Sequence, residues 1–441
     1  MRTFLTVVAS FLALATILRA QDAAPQGLPS APRPPNANPA SQSAAPASSV
    51  TLDDALRLAL QHNHALLALR STILESQAQE ITANLRPNPV LVLDAQFIPI
   101  FEPDQFSGDY LDNQAQFDAG VTYLFERGKK RQHRLRAAKD STAVIRSQVS
   151  DSERQLIFSV AQQFINVLLA ESTLSFAQQD LEGFQRTLEI SETRFHAGSI
   201  SEGDLLKIQL QRLQFETDVS AAKLARIQAL AGLRQSLGFA SVEENYDVSG
   251  TLEYQAVPST LTQLETMAVQ SRPDLIAAQQ GVTAARSQLA LAEVNGKQDV
   301  TAGAAYTHTA SVSSATFTFS IPLALSNRNQ GEIARTRYAI TQAEEQLSET
   351  AQQVSTDVVD AFENLRTNDQ IIQLYRRGYV EQAKKSRDIS EYAYQRGAAS
   401  LLDYLDSERT YRANQLAYRQ ALASYMLAVE QLREAVGSRS F

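Results

Sequence analysis

The chain has 441 residues, no cysteine, no tryptophan, only 17 glycines and a formal net charge of −8 at neutral pH. The lack of thiols excludes disulfides, cysteine-metal centres and a lipid carried on an amino-terminal cysteine. The acidic balance makes nucleic acid a poor partner, and the scarcity of glycine argues against an enzyme built on glycine-rich loops.

The first segment, residues 1–20, carries Arg2, an apolar run from Phe4 to Leu18 and Ala20 at a small-residue cleavage position. This is the pattern of a secretory signal. Residues 21–50 are rich in Pro, Ala and Ser, which reads as a tether that cannot bury a core. A first helix opens at Thr51, with Asp54 three residues on as a capping partner.

Period-2 patterning follows. In residues 88–97, Leu91, Leu93, Ala95 and Phe97 alternate with Val92, Asp94 and Gln96. In residues 115–125, Phe117, Ala119, Val121, Tyr123 and Phe125 alternate with Gln116, Asp118 and Thr122. Segments of about ten alternating residues have the length of tilted membrane-spanning strands. A basic cluster comes next, with Arg127, Lys129, Lys130, Arg131, Arg134 and Arg136; it fits either a lipid-headgroup boundary or a solvated helix start.

From about Lys130 to His196 there is no proline, and Leu156, Val160, Phe164, Val167 and Leu168 recur at three- and four-residue spacing. A helix of that extent spans on the order of 100 Å and belongs to a coiled coil. A glycine turn at residues 198–201 leads into a second helix over 201–238, making an antiparallel hairpin.

Almost the same reading then recurs. FHAGSISEGDLL (195–206) and YQRGAASLLDYL (394–405) align at a shift of 199, which holds without a gap from Gly198/Gly397 to Gly238/Gly437. Upstream, ALQHNHAL (59–66) aligns with AVQSRPDL (268–275) at a shift of 209. The difference places an insertion in the first copy near residues 99–114, marking a surface loop. The chain is thus read as a tandem repeat, residues 51–240 and 258–438, joined by residues 241–257. Each copy gives helix, strand, strand, very long helix, turn, long helix. In the second copy, Thr260 and Gln263 form the capping signal, Pro273 breaks the first helix, and residues 315–325 alternate again. Val300 to Asn327 is free of Asp, Glu, Lys and Arg. Pro322 falls within the alternation, where it would remove a ladder donor. A second uninterrupted long helix is expected over about 330–395, with its partner over 400–437.

Four strands per chain cannot close a barrel, and open edges in lipid leave backbone groups unpaired at several kcal/mol each. Membrane strands here therefore require oligomerisation, and three copies would supply twelve.

NLRPNPVL (84–91), FERGKKRQHRLRAA (125–138), RFHAGSISEGDLL (194–206), SRPDL (271–275), SIPLALSNRNQGEIARTR (320–337) and YQRGAASLLDYLDSERTY (394–411) together resemble the TolC-like outer membrane efflux proteins. The likeness is greatest to the branch that serves RND-type exporters, CzcC-like members included. The resemblance implies a mixed α/β membrane protein. It would be a homotrimer whose 12-stranded outer-membrane β-barrel is continuous with a long α-helical coiled-coil tunnel in the periplasm. It would act as a passive export duct, joined by a periplasmic adaptor (membrane fusion protein) and an inner-membrane pump, with a small mixed domain around the tunnel for which residues 241–257 and the carboxyl end are the candidates. A pore-free periplasmic coiled-coil protein and the adaptor itself are the alternatives.

The same resemblance makes the hairpin turns adaptor-docking tips: Gly198, Ser199, Ile200 and Ser201, with Gly397, Ala398, Ala399 and Ser400. It makes Asp403 and Asp406 gate aspartates, three apart and one turn in from the tip. In a trimer these would form carboxylate rings that favour cations. The local alternative for Asp403 is a capping box with Ser400, and Asp204 stands in the same relation to Ser201. Tyr394 and Asp204 match a pair that links neighbouring hairpins in the family's closed state. Ala399 stands where a second linking arginine is usual, so closure is expected to rest on fewer polar links or on Arg396 reaching across as a substitute. No cofactor or metal is expected. His62 and His64 lie two apart and so point differently on a helix, while His133, His196 and His308 are isolated. No catalytic constellation rises above chance.

Overall fold

The structure, a computed structural model, describes residues 49–440; the expected signal and all but the end of the expected tether lie outside them. The described chain divides into two units. One holds residues 86–128 and 297–326, the other residues 49–85, 129–296 and 327–440.

The first unit is an antiparallel sheet of order β2-β3-β5-β6, with β2 at Val90–Gln96, β3 at Gln116–Phe125, β5 at Val300–Thr309 and β6 at Val312–Ser320. β5 and β6 are joined by Ala310 and Ser311 alone, at φ of 48° and 61°, a two-residue hairpin whose twist suits the strands. The corresponding connection of the first copy, residues 97–115, carries a 3-10 turn at Pro103–Gln105 and a helix α3 at Gly108–Asn113. It folds onto the short turn, where the Ser311 amide donates to the Asp112 carbonyl at 2.9 Å.

The register sorts side chains by face. Leu93 pairs with Ala119, Ala119 with Tyr306 and Tyr306 with Ala315. Along the same face lie Leu91, Val121, Ala304 and Phe317. The opposite face carries Asp94, Asp118, Thr307 and Ser314, also in register. The outermost strands β2 and β6 are exposed throughout, and each has a strand on one side only. β6 ends at Ser320, so Pro322 lies beyond the strand rather than within it. A residue without an amide hydrogen cannot extend the ladder, and pairing stops before it.

The second unit is helical, apart from a parallel two-residue pairing of β1 (Ser49–Val50) with β4 (Asp247–Val248). Composition alone put Ser49 and Val50 in the tether, yet Val50 is buried. Its helices are α1 (Leu52–His62), α2 (His64–Asn84), α4 (Lys130–His196), α5 (Glu202–Leu237), α6 (Leu261–Ser271), α7 (Pro273–Asn295), α8 (Gln330–Leu374), α9 (Val380–Gln395) and α10 (Leu401–Val436). Helix α4 is 67 residues long without interruption, as its unbroken periodicity predicts.

The second long helix is not continuous. A π-type turn at Tyr375–Tyr379, with Gly378 at φ 103°, separates α8 from α9. The interruption is covered from the connecting segment. Tyr254 hydrogen-bonds Asp369 at 2.7 Å, and the Arg376 guanidinium lies 4.7 Å from the Tyr254 ring.

The helices that open at Leu52 and Leu261 both break, at Asn63 and Arg272, positions that the shift of 209 aligns. Asn63 reaches the end of α5 and Arg272 the end of α10. The Asn63 amide donates to the Ser236 carbonyl at 3.0 Å, and Arg272 donates to the Ala435 carbonyl at 3.0 Å. Ser236 and Ala435 are themselves a shift of 199 apart. Arg272 is buried and also meets Asp274 at 2.6 Å and Asp357 at 3.0 Å. Two apolar clusters sit beside these joints. One joins Leu56, Phe164, Leu237 and Tyr246; the other joins Leu264, Val358, Tyr425 and Leu432.

Glycine has opposite consequences at two helical sites. At Gly378 a Cβ would strain a positive-φ residue, so Gly378→Ala should lower stability by about 1–2 kcal/mol. At Gly183, inside α4 with open space around it, Gly183→Ala should raise it by about 0.5–1 kcal/mol. Thermal unfolding of the two variants should shift in opposite directions.

Candidate functional site

The two hairpin turns have one construction. α4 ends with Gly198 at φ 70° and α9 ends with Gly397 at φ 74°. The Ser199 amide donates to the Arg194 carbonyl at 2.8 Å, and the Ala398 amide to the Ala393 carbonyl at 2.8 Å. The Gly198 and Gly397 amides bond back to Phe195 and Tyr394. This is the Schellman end, which satisfies the last carbonyls and needs a positive-φ residue. Ser201 and Ser400 then start the following helices by accepting from the amides of Asp204 at 3.1 Å and Asp403 at 3.2 Å. Ser199, Gly198, Gly397 and Ala398 are exposed, while Ile200 and Ala399 are half-buried.

The acids do different work at the two turns. Asp403 closes a full capping box, its carboxylate accepting from the Ser400 hydroxyl at 2.7 Å. Asp204 instead pairs with Lys207 at 3.4 Å, the residue that replaces an acid in the first copy. Asp406 is exposed and pairs with Arg409 at 2.6 Å.

Beneath the turns a small core binds the two hairpins together. Phe184, Leu188, Ile208 and Phe215 of the first hairpin pack with Tyr394, Leu401 and Tyr404 of the second. The Tyr394 and Tyr404 rings stack with centroids 5.5 Å apart. Tyr394 is buried, and its hydroxyl meets Ser191 at 3.3 Å. The expected Tyr394–Asp204 pair is therefore not made within the chain, because the phenol is turned into the α4 interface. Arg396 does not reach across either; its guanidinium lies over Tyr392, 5.0 Å from the ring centroid.

The cross-hairpin link is made by Arg194, which sequence patterning did not single out. Its guanidinium donates to the Tyr394 carbonyl at 2.6 Å and lies 5.1 Å from the Tyr394 ring. A lone arginine in a long helix carries no local sign of which other helix it will meet.

The basic cluster is divided by the fold. Arg134 caps the end of α2, donating to the Ala83 carbonyl at 2.9 Å and the Leu85 carbonyl at 3.0 Å. Arg136 pairs with Asp140 at 3.3 Å, and Lys130 is buried. The cluster is thus partly structural. Among the described residues, no group of three or more His, Asp or Glu side chains is arranged to hold a metal ion.

Comparison with known proteins adds an independent finding. The family model described as "Outer membrane efflux protein" matches residues 55–239 and 264–438. The chain is similar to the pyoverdine export outer membrane protein OpmQ of Pseudomonas aeruginosa, at 25% identity over 409 residues, covering 88% of this chain and 85% of that one. It is also similar to the cobalt-zinc-cadmium resistance protein CzcC of Cupriavidus metallidurans, at 22% identity over 392 residues, covering 88% and 90%. The solved structure of the outer membrane protein VceC from Vibrio cholerae has the same fold, with a TM-score of 0.69 at 18% identity over 88% of this chain and 96% of that one.

The tip geometry ranks two substitutions. Removing the charged donor in Arg194→Ala should weaken the hairpin contact by about 1.5 kcal/mol. Tyr394→Phe, which loses only a long hydrogen bond, should cost less. Hydrogen exchange of the turn amides should show the first variant more open than the second.

Proposed function

The chain belongs to the outer membrane efflux protein family, and we propose that it is the outer-membrane duct of a tripartite efflux assembly. It would work as a homotrimer with a periplasmic adaptor and an inner-membrane RND-type pump. The observation that carries this reading is the four-stranded sheet, apolar on one face and polar on the other, whose outer strands β2 and β6 each have one unpaired side. In water such edges invite aggregation, and in lipid they are prohibitive. Three chains joined β6 to β2 would close a barrel of twelve strands, with Leu93, Ala304 and Phe317 toward lipid and Asp94, Asp118 and Thr307 toward the lumen. The coiled-coil hairpins of the three chains would then line a periplasmic passage. Both stretches matched by the family support reading residues 51–240 and 258–438 as two copies of one unit joined by residues 241–257. The adaptor and pore-free readings fall away with the family match.

Within that reading the exposed turns, Gly198 to Ser201 and Gly397 to Ser400, are the surface the adaptor would meet. Asp406 is the better gate acid, since its carboxylate is exposed and held only by Arg409. Asp403 divides its carboxylate between the cap and the passage. Tyr394 and Asp204 would serve closure indirectly, one through the core beneath the tips and the other through the cap of α5. Cargo would come from the pump. The relatives' names point to pyoverdine or to cobalt, zinc and cadmium, and either kind of cargo would cross without chemistry on the protein.

Reconstitution in planar bilayers tests the duct. Discrete conductance steps from a detergent-extracted trimer are expected, and a water-soluble monomer that never inserts would refute the reading. Phe317→Arg should destabilise the inserted protein by about 2–4 kcal/mol if that position is near mid-membrane, whereas Thr316→Arg on the other face should not. Asp406→Asn should weaken block of the pore by added divalent cations while leaving Tm unchanged. Ser400→Ala should cost about 1 kcal/mol of stability instead.

A further inference from the structure

Two acids occupy core stripes where helical spacing calls for apolar residues. Asp180 lies between Ala177 and Phe184 on α4, and Glu408 lies between Tyr404 and Tyr411 on α10; all six side chains are buried. The two acids come from different hairpins and are close enough to interact, with Arg412, one turn beyond Glu408 on α10, 2.6 Å from Asp180.

The cations around them are already engaged. Arg412 of α10 lies 2.6 Å from Asp180 and also pairs with Asp218 of α5 at 2.5 Å. Its guanidinium covers the Phe215 ring at 4.1 Å. Arg387 of α9 meets Asp388 at 2.9 Å and Glu391 at 3.6 Å, and reaches Glu408 only at 3.9 Å. Arg419 of α10 is close enough to feel the Asp180 charge but lies over the Phe176 ring. The phenols of Tyr404 and Tyr411 complete the titratable groups facing the pair. Glu408 is left without a cation in hydrogen-bond reach, and a buried carboxylate so placed is costly unless it keeps a proton.

We propose that Asp180 and Glu408 hold one proton between them, and that this shared proton clamps the first coiled-coil hairpin to the second, making their packing sensitive to pH near neutrality. With the proton in place, a neutral carboxyl donates to a carboxylate that Arg412 balances. Without it, two like charges face each other across the hairpin interface in a poorly hydrated site.

The direction of the effect follows. Burial first, and then the Asp180 charge, push Glu408 up to about 8; burial raises Asp180 too. A carboxyl raised in the packed state binds protons that the separated state has released. The stabilisation is therefore complete below the ordinary carboxyl range and is lost as pH rises through about 8. The inference concerns how the hairpins of one chain hold together, and its test does not depend on conduction or on the tip acids.

The test is hydrogen exchange of α4 and α10 around the pair in the purified full-length protein, corrected for intrinsic rates, from about pH 6 to about pH 9.5. Protection should fall severalfold across that range, by at most about tenfold per pH unit. In Glu408→Gln, whose amide can still donate to Asp180, protection should stay flat and high. Glu430→Gln is the control, because Glu430 is a buried acid already paired with Arg433 at 2.6 Å and Arg439 at 2.7 Å; it should keep the pH profile of the unaltered chain. Infrared spectroscopy of the unaltered protein at neutral pH should reveal a protonated carboxyl band, and that measurement decides alone if the glutamine variant fails to fold. A pH profile unchanged by Glu408→Gln, or no such band, overturns the proposal.

Discussion

An antiparallel sheet with two bare edges and one apolar face sets the terms for this protein. Each unpaired amide or carbonyl placed in hydrocarbon costs several kcal/mol, so four strands from one chain are an incomplete structure. The register makes the need specific. Residues on strands far apart in sequence, such as Leu93, Ala119, Tyr306 and Ala315, line up on one face because β3 pairs with β5 across the two halves of the chain. In the proposed trimer, closure by further copies would supply what one copy lacks, and each half of the chain would contribute two strands.

The helical unit meets a different demand. Among the described residues, its hairpins share no backbone hydrogen bonds with one another, so side chains join them. At the tips the joint is aromatic stacking around Tyr394 and Tyr404 with Arg194 donating across it. Further along, it is the carboxyl pair with its arginines. At the other end it is Arg154, which reaches Glu434 at 2.8 Å from the opposite half of the chain. Such contacts can be loosened one at a time, whereas a continuous apolar seam separates all at once. The interruption at Gly378 occurs in only one of the two long helices, so the two hairpins are mechanically unlike despite their common design.

Much of this was legible in the residues. Helix α4 follows its three- and four-residue apolar spacing from end to end, and both tips announce themselves by Gly and Ser at a fixed shift. Strand alternation identified β2 and β3 and most of β6. Misreadings arose where the deciding partner was remote. The π-type turn in Tyr375–Tyr379 has no proline to signal it and is held by Tyr254, more than a hundred residues earlier. Asn63 reads as an ordinary helix residue until Ser236 accepts from it. Arg194, rather than Arg396, reaches the second hairpin because the rotation of each helix about its axis, which no local pattern fixes, decides which side chain faces the neighbouring hairpin.

The sequence by itself determined the order of the main elements, the extent of α4 and the caps of α5, α6 and α10, because each depends on hydrogen bonds and apolar spacing within a few residues. Only the tertiary structure decided which charged groups are buried against which. Asp180 and Glu408 lie on different hairpins, and the free energy of a proton between them exists only once packing has removed water from both.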